Sequence, residues 1–153
     1  MDEKDFLPVL VAIRTSSRDD RGKPEEDTRM LVSGQLAAQK DGAYLLRYTE
    51  SVEQEDGSVM KADVRLKLED GHVIMLRKGD FSTTMVFSRG QHFDGTYHTP
   101  YGDMAMGIYT TRLLTSLASD RGSVTIDYQL DMNGGFSSMR HLTLEYGAEA
   151  KKH

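Results

Sequence analysis

Apolar and polar residues alternate without interruption from Met60 to Glu69. Met60, Ala62, Val64, Leu66 and Leu68 share one face, while Lys61, Asp63, Arg65, Lys67 and Glu69 share the other. A period of two over ten residues fits a pleated strand with one buried face and no helix. The same stripe recurs at Val124, Ile126, Tyr128, Leu130 and Met132, and at Leu142, Leu144 and Tyr146. It recurs again at Phe81, Thr83, Met85 and Phe87, at Tyr44, Leu46 and Tyr48, and at Val9, Val11 and Ile13. Glycine-containing pairs punctuate these segments: Asp41-Gly42, Asp56-Gly57, Asp70-Gly71, Lys78-Gly79, Arg89-Gly90, Arg121-Gly122 and Asn133-Gly134. Asp-Gly and Asn-Gly suit two-residue hairpin turns, whose central residues both need positive φ.

The spacing predicts strands over about 6–16, 27–38, 43–54, 58–69, 72–78, 80–88, 91–99, 103–117, 122–132 and 138–147. Consecutive strands with short turns make an antiparallel meander, and closing it on itself removes the exposed edges. The expectation is therefore an all-β, closed antiparallel meander barrel in one domain, residues 1–153. The polar stretch 16–26 reads as a mobile loop and 148–153 as a frayed tail. Leu113, Leu114 and Leu117 have helical spacing, but the absence of a capping box and the several Thr and Ser make Thr110 to Ser119 the end of a long strand plus a loop.

Composition narrows the functional classes. Cysteine is absent, which removes disulfides, thiolate metal sites and a cysteine nucleophile. Nineteen basic against twenty-four acidic residues give a net charge of −5 with no long basic run, so no nucleic-acid partner is expected. No apolar run approaches the roughly 20 residues of a membrane helix, and the acidic start lacks the features of a secretory signal. A cytoplasmic protein without membrane attachment is the expectation.

Tyr97-His98-Thr99-Pro100-Tyr101-Gly102, then Met104-Ala105-Met106-Gly107-Ile108-Tyr109, then Gly122-x-Val124-x-Ile126-x-Tyr128, resembles the YwiB-like family of small bacterial β-barrels of unknown function. The resemblance spans nearly the whole chain. It implies a calycin-like, lipocalin-type barrel of about eight strands, in which some segments above are bent halves of one strand or lie outside the ring. It brings no catalytic residues. Pro100-Tyr101-Gly102 reads as a barrel corner, because Pro100 cannot donate to a ladder and Gly102 permits a bend.

No residue pattern supports an enzyme, a cofactor or a metal. His92 and His98 would stand roughly 20 Å apart on one strand, and Asp127 and Asp131 about 13 Å apart, too far for a hydrolytic carboxyl pair. The interior is more informative. A barrel of about eight strands is just wide enough to be filled by side chains or to hold one small ligand. Nine methionines, an adaptable residue type, fall mostly in or beside the apolar stripes. Met104 and Met106 are expected on the lumen. Arg77 and Arg112 extend apolar stripes in parity, and a guanidinium at the mouth can meet a ligand carboxylate. Tyr48, Tyr97, Tyr101, Tyr109 and Tyr128 would supply hydroxyls. Two readings stay open: a module binding a small, mostly apolar ligand, or an interaction barrel with a filled lumen that meets another protein or a second copy as a homodimer.

Overall fold

The computed structural model describes residues 5–149. Ten strands follow one another: β1 (Leu7–Arg18), β2 (Pro24–Ala38), β3 (Tyr44–Glu53), β4 (Val59–Glu69), β5 (His72–Gly79), β6 (Thr83–Ser88), β7 (His92–Thr99), β8 (Gly102–Leu117), β9 (Arg121–Met132) and β10 (Gly135–Ala148). They form a single sheet in the order β6-β5-β4-β3-β2-β1-β10-β9-β8-β7, with every ladder antiparallel. The first and last strands lie side by side, with Val9 opposite Ala148.

The two outer strands of that order, β6 and β7, curl round to meet. Ser82 and His98 exchange backbone hydrogen bonds of 2.9 and 2.8 Å, and the Thr83 hydroxyl donates to the Thr96 carbonyl at 3.1 Å. The turn between β6 and β7 is itself held to β8, where the Gly90 amide donates to the Thr110 carbonyl at 2.8 Å and continues the β7–β8 pairing. Gly95 lets the strands come this close, because a Cβ there would lie 2.9 Å from the Phe93 ring and 3.3 Å from the Thr84 carbonyl oxygen. The result is a nearly closed meander barrel.

The wall corrects the expectation of eight strands. Each predicted segment ends at its own turn, and all ten stand in the ladder. The 16–26 loop is also shorter than expected. β1 continues through Arg18 and β2 begins at Pro24, so the connection is Asp19–Lys23. The Asp19 carboxylate accepts from the Arg21 and Lys23 amides at 2.9 and 2.8 Å, which folds those charged residues into a hairpin tip. Of the 148–153 tail, Ala148 belongs to β10 and its amide donates to the Asp120 carbonyl; residues 150–153 lie outside the described residues.

Turn chemistry differs in detail from expectation. Only Asn133-Gly134 has positive φ at both residues, 52° and 83°. At Asp41-Gly42 only the glycine is left-handed, and the Asp41 carboxylate accepts the Ala43 amide at 3.0 Å. Aspartate there serves as an acceptor and glycine alone takes the φ. Arg121-Gly122 is no turn, since both residues belong to β9.

Burial is uneven along the barrel axis. The end carrying the β2–β3, β4–β5, β6–β7 and β8–β9 turns is packed with Leu36, Leu46, Leu68, Val73, Phe87 and Ile126. The Asp70 carboxylate accepts the Thr115 hydroxyl at 2.8 Å, tying the β4–β5 turn across to β8. The Tyr146 ring lies over Gly122, and its hydroxyl donates to the Ala118 carbonyl at 2.7 Å. This end is shut. The other end is not.

Candidate ligand cavity at the open end of the barrel

Towards the open end the inward stripes change character. On β3 the stripe Tyr44, Leu46, Tyr48 continues to Glu50 and Val52, and on β10 the stripe Tyr146, Leu144, Leu142 continues to Arg140 and Ser138. β5 ends its stripe with Arg77, and β2 brings in Thr28 and Glu26. Glu26, Thr28, Glu50, Val52, Arg77 and Arg140 ring a cavity of about 620 Å³, inside the range of about 300–1,000 Å³ typical of small-molecule sites. Its apolar wall is mostly thioether: Met60, Met75, Met85, Met104, Met106 and Met132 all line it.

Arg77 does not stand alone. Its Nη2 and Nε both donate to Glu50 Oε2, at 3.0 and 3.2 Å, and each side chain is only 16% exposed. The strand between them, β4, presents Ala62 at this level, opposite Glu50 on one side and Gly79 on the other. A small residue there leaves room for the pair to meet. Phe81 packs under the Arg77 guanidinium at 5.4 Å and stacks on Tyr97, with ring centroids 6.3 Å apart. Across the cavity Arg140 lies 3.7 Å from Glu26 and donates to the Ser138 hydroxyl at 3.0 Å. Two guanidinium groups and two carboxylates thus offset one another inside the mouth.

Six of the nine residues expected at a lumen site line the cavity: Arg77, Tyr97, Tyr101, Tyr128, Met104 and Met106. Tyr128 is buried edge-on to Phe87, and that burial pushes its phenol pKa up. Burial also raises the half-buried Tyr97. Tyr101 touches only the rim. Pro100-Tyr101 is a hairpin tip and not a corner in the wall; the Thr99 hydroxyl accepts the Tyr101 amide and donates to the Gly102 carbonyl, leaving Tyr101 89% exposed.

Three expected residues are elsewhere. Tyr48 faces inward but packs into the core beside Arg77 and Glu50, 6% exposed, where burial drives its pKa up. Tyr109 alternates out of phase with Met106 and Ile108 and lies on the outer surface. Arg112 is also outside, because a β-bulge between Thr110 and Arg112 inserts one extra residue and reverses the parity of the rest of β8. There it lies 3.9 Å from Asp127, which also bonds the His141 imidazole.

Glu50, Arg140, Glu26 and Phe81 were not among the expected site residues. The signal for the first three was present. Glu50 and Arg140 hold the next inward positions after Tyr48 and Leu142, and Glu26 keeps the parity of Met30 and Val32 on β2.

The family described as Domain of unknown function (DUF1934) matches residues 11–144. The chain belongs to the DUF1934 family. This DUF1934 protein is 19% identical over 143 residues to the Uncharacterized beta-barrel protein YwiB of Bacillus subtilis (strain 168), spanning 94% of this chain and 95% of that one. The crystal structure of ywiB protein from Bacillus subtilis matches it with a TM-score of 0.80 at 20% identity, over 95% of this chain and 94% of that one. The YwiB-like resemblance read from the strand motifs is thereby confirmed, and the structural match shows a shared fold. Among the described residues of this DUF1934 chain, no helix is long and apolar enough to cross a membrane.

Proposed function

We propose that this protein is a cytoplasmic binding module and not an enzyme, holding one small, mostly apolar molecule in the open half of its barrel. The observation that carries this reading is the methionine-lined cavity of about 620 Å³ above a packed, closed base. Thioether side chains adapt to irregular apolar shapes, as promiscuous sites require. The offsetting charges set the polar end of the ligand. Arg77 already donates twice to Glu50, so a ligand carboxylate would have to displace an internal one. A neutral polar end with both a donor and an acceptor leaves both ion pairs intact. The outward face of β4 carries Lys61, Asp63, Arg65, Lys67 and Glu69, the opposite of the apolar band that a membrane barrel shows to lipid.

Titration with the neutral fluorophore N-phenylnaphthylamine tests the site, together with native mass spectrometry of freshly purified protein. Saturable fluorescence enhancement is expected, lost by about tenfold or more when Met104→Trp fills the cavity. Circular dichroism checks that the variant keeps its fold. Dye binding that is absent, or indifferent to Met104→Trp, overturns the proposal.

A further inference from the structure

The barrel wall carries a slot that strand counting does not reveal. β2 and β3 pair only from Gly34–Tyr48 to Ala38–Tyr44. Beyond that point β2 continues as Ser33 to Pro24, paired to β1 alone. β3 continues as Thr49 to Glu53, paired to β4 alone. Two strand edges therefore diverge toward the open end with no ladder between them. Backbone amides and carbonyls are obligatory hydrogen-bonding groups, and such edges are templates for a further strand.

The divergence opens a groove on the outer face of the wall. A second cavity of about 570 Å³ sits at its apex, lined mainly by outward-facing residues, among them Gln35, Thr49 and Asp63 together with Arg47 and Arg65. Higher up, Thr28 on one edge and Val52 on the other line the main cavity.

Charge indicates what the slot accepts. Glu25, Glu26 and Asp27 lie along the β2 edge, with Arg29 as the one cation there, and Glu50 and Glu53 lie along the β3 edge, with Glu55 and Asp56 on the adjoining turn, so acidic groups outnumber basic ones along the slot. The basic partners of Glu26, Asp27 and Glu50 are engaged one to one. Among the described residues, Glu25, Glu53 and Glu55 make no ion pair. A second copy of the chain is a poor occupant. It brings another net charge of −5 to an acidic slot.

We propose that the slot between β2 and β3 receives an extended, basic segment of another polypeptide, which adds as a strand along the β2 edge and covers the side of the cavity. Main-chain hydrogen bonds supply the affinity, as in other strand-addition sites, and the acidic rim supplies the preference for lysine and arginine. This inference does not depend on a small molecule occupying the lumen.

The test uses three fluorescein-labelled ten-residue peptides at physiological ionic strength: alternating Val and Lys, alternating Val and Glu, and the Val/Lys peptide with every second amide N-methylated. Fluorescence anisotropy is expected to show saturable binding of the first, with the other two weaker by about tenfold or more. Hydrogen exchange should slow in 24–33 when the first peptide binds. Glu25→Lys with Glu53→Lys, both at exposed positions, should weaken binding about fivefold without moving the thermal midpoint. Absence of saturable binding, equal binding of the N-methylated peptide, or protection elsewhere than β2 overturns the proposal. N-phenylnaphthylamine titration in the same samples reports separately on the lumen, so the slot can fail while the cavity stands, and the reverse.

Discussion

Arg77 and Glu50 pose a simple energetic question at the scale of single side chains. Both are largely shielded from water, so removing one partner strands a charge in a half-dry site. Removing both charges at once does not. Arg77→Met is expected to lose about 2 kcal/mol, and Arg77→Met combined with Glu50→Gln less than about 1 kcal/mol. A double-mutant cycle from urea denaturation measures the difference. With Glu50→Gln completing the cycle, a double variant whose loss equals the sum of the two single losses would show that the pair has no coupling. Tyr146 poses the reverse case, an aromatic ring seated where a glycine has no side chain. A Cβ at residue 122 would overlap the ring, so Gly122→Ala should lose about 2 kcal/mol through overpacking. Tyr146→Phe keeps the ring and removes the hydroxyl contacts to the Ala118 amide and carbonyl. It should lose about 1 kcal/mol in the same assay.

At the scale of strands, most of the wall is written in local alternation. The Met60–Glu69 stripe is β4 almost to the residue, and each of the ten predicted segments found its strand. Alternation also places Tyr109 outside and Glu50 and Arg140 inside, if each stripe is followed beyond its last apolar residue. A bulge is a different matter. Thr111 is an ordinary polar residue in a Thr- and Ser-rich run, and nothing in Thr110-Thr111-Arg112 signals that two successive side chains face outward. Ring closure and the β2–β3 divergence depend on pairings between distant segments, which no local period encodes. Gly34 marks where that divergence starts. A Cβ there would lie 2.8 Å from the Arg47 carbonyl oxygen and 2.9 Å from Val11 Cγ2. Gly34→Ala should therefore lose about 2 kcal/mol and speed amide exchange in Leu46–Tyr48, the last paired turn of the fork. Exchange unchanged from the parent protein would show that the close approach is dispensable.

For the whole molecule, the buried phenols govern behaviour in alkali. Burial raises Tyr48 and Tyr128 above the ordinary value of 10.0, while the unfolded chain ionises there. Above pH 10 the unfolded state therefore holds fewer protons than the folded state, and stability falls as pH rises. The contribution of each is present below that pH and is lost at about 1.4 kcal/mol per pH unit above it. Urea midpoints across pH 9 to 11 should decline, and Tyr48→Phe should flatten the decline; a midpoint constant over that range contradicts the assignment.

The seating of β1 against β10, with the seam between β6 and β7, has a kinetic corollary. If a short linker joins the two chain ends and the backbone is cut at the Arg89-Gly90 turn, every ladder of the sheet links strands consecutive in the new chain. The long-range closure of first strand on last becomes one more hairpin. Such a circular permutant lowers contact order while keeping the same barrel, and it should refold faster in stopped-flow experiments than the natural order does.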